Sequence, residues 1–129
     1  MGRRGAVGHP PTRFGNPSSQ LKAFIDSLGG LWREGKLAGK VHSAFTASGT
    51  PHGGQESTIL ALGNVFYHWG GIIVPPGYTD PIQFKAGNPY GTSQVASDDA
   101  SRDVALEAVR YQARHVVDIT AALKAGRGA

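Results

Sequence analysis

The chain has 129 residues, enough for one ordinary domain and too few for two. It is 40% hydrophobic, carries 19 glycines and no cysteine, and has a formal net charge of +4. These values exclude a disulfide scaffold, a thiolate zinc site and a cysteine nucleophile, and they suit a reducing compartment, so the expected location is the cytoplasm. The thirteen Lys and Arg residues are spread from Arg3 to Arg127 with no block longer than Arg3-Arg4, so no clustered basic stripe marks a nucleic-acid groove. No apolar run approaches the roughly 20 residues that cross a bilayer, and "MGRRGAVGHPP" lacks the apolar stretch of a signal peptide.

In chain order, "GAVGH" at residues 5 to 9 is a short, glycine-broken strand candidate. Asn16-Pro17 predicts a helix start, a capping side chain followed by proline at the first helical position. Leu21, Phe24, Ile25 and Leu28 then form one apolar stripe, and Gly29-Gly30 ends the helix. "KVHSAFTA", Lys40 to Ala47, reads as a strand running into the loop "TASGTPHGGQEST", Thr46 to Thr58. A second helix shows Ile59, Leu62, Phe66 and Trp69 on one face and closes at Gly70-Gly71. "IIVPP" is a continuous β-branched run, the pattern of a strand buried on both faces. Residues 77–100 are irregular and too long for a plain connection, so they are expected to be a functional insertion. A last helix is expected from about Arg102 to Lys124, capped by Ser101, with Leu106, Val109, Ala113, Val116 and Leu123 on one face.

This order follows βαβ logic, an α/β fold with a parallel sheet, helices on both faces and a site at the carboxyl ends of the strands. Two loops fall at those ends, "PPTRFGN" (Pro10 to Asn16) and "TASGTPHGG". Both offer backbone N–H groups, hydroxyls and glycines with few charges, a lining suited to the edge of a flat heteroaromatic ring. Neither matches a P-loop or a dinucleotide turn.

The segments "PPTRFGNPSSQLKAFIDSLGGLW", "GKLAGKVHSAFTASGTPHGGQESTIL" and "NPYGTSQVA" resemble the WrbA-type NAD(P)H:quinone oxidoreductases, flavodoxin-like FMN proteins. The resemblance runs from about Pro10 to near the C-terminus and implies two-electron reduction of a small-molecule quinone by NAD(P)H, with FMN as cofactor, in a homotetramer. Carried over by position, it implies that Thr12, Arg13 and Phe14 line the isoalloxazine. Ala47, Ser48, Gly49, Thr50, Pro51 and His52 would form the second flavin loop. His68 would reach the cofactor, and Trp32 would lie where nicotinamide and quinone stack in turn. The family holds the FMN phosphate in a Ser/Thr-rich turn after its first strand. This sequence enters the pattern near the third strand, so the expectation is a single, N-terminally truncated flavodoxin-like domain that by itself holds FMN weakly.

Each of these residues also has a plainer role. Trp32 follows the expected helix end and could pack there, Phe14 could cover the core, and His68 could sit as a partner of a helix C-terminus. His52 and Glu56, four apart, lack a third metal ligand at fitting spacing, so no metal is expected. Asp98-Asp99 reads as loop and helix-start charge, and Tyr90 in "NPYG" as a turn residue. The alternative to a quinone reductase is a flavodoxin-like remnant or assembly subunit that does not hold FMN; a basic binding module is the weakest of the three.

Overall fold

The computed structural model describes residues 11–128. The strand candidate at residues 5 to 9 lies outside them. A two-residue hairpin opens the described chain, with β1 (Thr12–Arg13) antiparallel to β2 (Asn16–Pro17). Helix α1 (Ser19–Ser27) and the short α2 (Gly29–Arg33) follow. Then come β3 (Val41–His42), β4 (Thr46–Ser48), α3 (Gln55–Trp69), β5 (Ile72–Ile73), α4 (Pro81–Ala86), β6 (Ser93–Val95) and α5 (Asp99–Gly128).

The pairs β3–β5 and β4–β6 are parallel two-stranded ladders, and the backbone bonds beside them line them up along one course of the chain. The carbonyls of Lys40, His42 and Ser48 accept from Ile72, Val74 and Ala96, and the Thr46 N–H donates to Thr92. Alternate residues of a strand point their backbone groups to the same side. All four of these positions are even-numbered, so residues 40–48 form one line, and residues 72–74 and 92–96 lie in succession along the same edge of it. Ala47 pairs with Gln94 and also, in parallel, with Pro11, which puts residues 46–48 in the middle of three strands. Residues 75–91 leave the sheet and return to it. The expected insertion therefore contains α4, and its far end is a strand of the main sheet.

Helix α3 packs on β2, β4 and β5, while α5 packs on β3, β6 and α4. The core under α3 is Ala44, Ile59 and Leu62, with Leu21, Ile25 and Phe66 against it. The α3 face follows the expected spacing, and Gly70 closes the helix in the left-handed conformation.

Several local expectations need correction. Phe14 and Gly15 both have positive φ and make a tight hairpin turn, so Asn16 pairs with Arg13 rather than capping a helix. The cap is Ser18, whose hydroxyl accepts from the Leu21 N–H, and Pro17 lies before the helix. Gly29-Gly30 does not end the helical stretch: α1 stops at Ser27, and the two glycines begin α2, so Trp32 sits inside a helix. The expected Lys40–Ala47 strand is two short strands broken at residues 43–45. Ile72 and Ile73 are only half-buried, and Val74 and Pro76 are the buried members of the run.

At the last helix, Asp98 is the cap, accepting the Ala100 N–H on Oδ1, while the Ser101 hydroxyl, already within the helix, accepts from the Val95 N–H. Its buried face is Ala105, Ala108 and Gln112, with Leu106 and Ala113 exposed. Ala108 is fully buried, and its methyl lets α4 approach closely enough for Gln83 to reach the Ala108 carbonyl. Gly91 is the matching device at the strand's return: a Cβ there would collide with the Ala44 carbonyl.

Candidate functional site

The first residues of β1 and β4 meet at a buried hydrogen bond between the hydroxyls of Thr12 and Thr46, 2.8 Å. From that anchor the hairpin carries Arg13 and Phe14 outward. Phe14 has φ 48° and is fully exposed, at 103% of its reference area. A bulky residue in the left-handed region costs on the order of 1–3 kcal/mol and here gains no burial in return. Such a conformation at a hairpin tip marks a surface that presents its side chain.

The second loop starts from Ala47 and buried Ser48, whose hydroxyl donates to the Thr50 carbonyl at 2.6 Å and folds the chain back sharply. Gly49, Thr50, Pro51 and His52 are exposed above it. The glycine-rich loop is shorter than its sequence implies, because residues 55–58 are the first turn of α3. That helix has Gly54 at its N-cap and no side-chain acceptor there, so its first N–H groups are left for another partner. Pro51, His52, Gly54, Gln55, Glu56 and Ser57 surround a cavity of about 290 Å³ beside this terminus.

The two loops are tied together by residues that loop composition did not single out. The Ser57 hydroxyl donates to the Gly15 carbonyl at 2.8 Å. Gln55 Nε2 donates to the Gln94 carbonyl at 3.1 Å and fixes the helix start to β6. The only sequence signal was the run "GGQES", whose polar residues fall in a helix's first turn.

Trp32 and His68 lie elsewhere. Trp32 Nε1 donates to the His68 carbonyl at 2.9 Å, and both residues line a cavity of about 490 Å³ between α1–α2 and α3. Trp32 keeps half of its surface exposed. Gln55 and His68 are at opposite ends of α3, roughly 20 Å apart at ~1.5 Å per residue. One tricyclic ring cannot touch both within one chain. The structure therefore brings together Thr12, Arg13, Phe14 and residues 47–52, and leaves Trp32 and His68 at a second surface.

The described site holds no nucleophile–base pair, and among the described residues no three His, Asp or Glu side chains gather as a metal site. Among the same residues no helix is long and apolar enough to cross a membrane. The lining at the start of α3 carries the Glu56 carboxylate, but its hydroxyl, amide and backbone N–H groups fit the polar edge of a flavin ring, whose carbonyl oxygens seek such donors.

Residues 5–82 match the family described as NADPH-dependent FMN reductase. The chain is 48% identical over 114 residues to an NAD(P)H dehydrogenase (quinone) of Deinococcus radiodurans, covering 88% of this chain and 57% of that protein. It is 47% identical over 127 residues to NAD(P)H dehydrogenase (quinone) 3 of Rhizobium meliloti, covering 91% and 60%. The fold is similar to that of a flavodoxin, WrbA-like protein from Agrobacterium tumefaciens, with a TM-score of 0.59 at 24% identity over 81% of this chain and 61% of that one. The chain thus spans about three-fifths of the length of the curated relatives it matches. Its parallel sheet with helices is flavodoxin-like, and the chain belongs to the NADPH-dependent FMN reductase family.

Proposed function

We propose that this chain binds FMN with the ring edge against the hairpin and the loop before α3, and that it serves NAD(P)H-dependent two-electron reduction of quinones. The observation that carries this is the joining of the hairpin and the glycine-rich loop before α3 by the Thr12–Thr46 and Ser57–Gly15 hydrogen bonds. When bound, FMN supplies the redox chemistry, accepting a hydride from the nicotinamide and delivering two electrons to the quinone. The chain's own part is to orient and shield.

Thr12 and Ser48 fix the loop backbones from below. Arg13 offers a cation and Phe14 a hydrophobic cover at the ring's rim. The loop of Ala47, Gly49, Thr50, Pro51 and His52, with the free N–H groups of the first α3 turn, supplies donors to the ring oxygens. Trp32 is the stacking surface for nicotinamide and quinone, and His68 is placed to hold a proton or water near the quinone oxygen. Because these two sit a helix length from the loops, we propose that they serve the site of a second copy in a homo-oligomer.

The test titrates FMN and riboflavin into the purified chain by flavin fluorescence, then follows NADH and NADPH oxidation with benzoquinone. Flavin quenching with quinone-dependent oxidation is expected. Neither flavin binding at any attainable concentration, with both oxidations at background, refutes the function and favours a flavodoxin-like subunit without a cofactor. Sedimentation of the same sample tests the association: a strict monomer with full activity refutes the shared site.

A further inference from the structure

We infer that Ser57 is a positioning residue: from the first turn of α3 it clamps the hairpin tip, fixing where Phe14 and Arg13 stand over the flavin ring. This rests on the flavin site proposed above and names the part that holds its two loops in register. Ser57 lies at the third helical position, where a serine hydroxyl ordinarily stays with its own helix. Here it is shared between the Gly54 carbonyl at 3.1 Å and, across 42 residues of sequence, the Gly15 carbonyl at 2.8 Å.

The backbones beneath that bond are pressed together. A Cβ on Gly54 would stand 2.5 Å from Gly15 Cα, and a Cβ on Gly15 would stand 3.0 Å from the Ser57 hydroxyl. Both glycines have positive φ, 89° and 73°. Two glycines and one serine thus lock a turn whose fourth member, Phe14, is held in a conformation that a free hairpin would leave. A two-residue hairpin this short is not stable by itself. Besides its packing on α3 and its own Asn16–Phe14 bond, it is held by the buried Thr12–Thr46 bond at the base and the Ser57–Gly15 bond at the tip. The base bond fixes where the hairpin starts, and the tip bond fixes where Phe14 points.

The experiment compares wild type, Ser57→Ala, Ser57→Thr and Gly54→Ala as full chains. Hydrogen–deuterium exchange of a peptide spanning residues 12–17 reads the hairpin directly, and riboflavin and FMN titrations read the site. Losing one hydrogen bond of this kind predicts about five- to tenfold weaker binding in Ser57→Ala. The loss should be equal for riboflavin and FMN, because the hairpin acts on the ring, and it should come with faster exchange at the hairpin. Ser57→Thr, which keeps the hydroxyl, restores both readouts, whereas Gly54→Ala reproduces the loss by pushing Gly15 away. Ser57→Ala that binds both flavins like wild type overturns the positioning role, whether or not exchange rises. A wild-type chain that binds neither flavin refutes the proposed function, and the positioning role falls with it.

Discussion

Gln112 is the residue whose loss should cost the fold most per atom removed. It is 3% exposed on α5 and makes four hydrogen bonds. Its Oε1 accepts from the Thr92 N–H at 2.8 Å and the Thr92 hydroxyl at 2.7 Å. Its Nε2 donates to the Ser43 hydroxyl at 2.7 Å and the Ala44 carbonyl at 2.9 Å. These partners lie where the sheet ladder is interrupted, between the Val74–His42 bond and the Thr46–Thr92 bond. One amide side chain thus takes over backbone pairing at the point where residues 75–91 depart and return. Gln112→Leu keeps the volume and removes every bond. The Ser43 hydroxyl keeps its donation to Val74, but the Thr92 N–H and Ala44 carbonyl each lose this partner in a dry site. At about 1–3 kcal/mol for each orphaned backbone group the expected loss is about 2–6 kcal/mol, against a total of about 5–15 kcal/mol for a domain. Urea unfolding followed by far-UV circular dichroism measures it. A Gln112→Leu variant within 1 kcal/mol of wild type would mean that water or a strand shift satisfies both groups, and the bridging account would be wrong.

His42 gives a pH dependence. Its ring stacks on Phe66 at 4.7 Å, its Nε2 is buried with no partner, and burial, then Lys40, outweigh its bond at Leu37 to hold its pKa below the ordinary 6.5. The folded chain then binds fewer protons than the unfolded one, so stability is complete above about pH 6.5 and falls as pH drops through the lowered value. His42→Phe should remove that component of the decline in thermal midpoint between pH 7 and pH 5; parallel curves would show that other groups carry it. Gly91→Ala forces a methyl onto the Ala44 carbonyl and is expected to destabilise by about 1–3 kcal/mol, the range of overpacked sites; a neutral result in the same urea assay would show that the strand can shift. Trp32→Ala should lower quinone turnover more than flavin retention, because Trp32 stands on α2 away from the loops. Equal losses would make it a packing residue.

The fold class and the α3 face were legible because they rest on large apolar residues at regular spacing: Ile59, Leu62 and Phe66 are where periodicity puts them. The failures share one cause. Where small or polar side chains do the packing, apolar spacing misleads. The buried face of α5 is Ala105, Ala108 and Gln112, so the exposed Leu106 drew the stripe to the wrong side. Strand β6 has Val95 as its only apolar residue and is held by backbone pairing with β4, by Gln55 and by an Asn88–Ser93 bond. Nothing in "SQV" announces that. Asn16-Pro17 carried a valid local cap signal, but the turn at Phe14-Gly15 fixed the register first and passed the cap to Ser18.

The site was legible as a set of loops but not as an arrangement in space, and α3 explains the difference. Its N-terminus gathers the hairpin, the loop of residues 49–54 and β6 through Ser57, Gln55 and the bare Gly54 cap. Its C-terminus holds Trp32 through the His68 carbonyl. A continuous 15-residue helix cannot fold to bring its ends together, so the separation of the two groups is as rigid as the helix itself. Sequence motifs state which residues share a function, whereas a helix states how far apart one chain must keep them. If Trp32 and Phe14 do serve the same ring, the second must come from another copy, and each protomer then offers one half of two sites. Mixing Trp32→Ala and Phe14→Ala chains tests this, since a mixed oligomer contains some sites with both native aromatics. Activity in the mixture above that of either variant alone is the expected outcome. Failure to complement in a verified mixed oligomer would place Trp32 outside the flavin site.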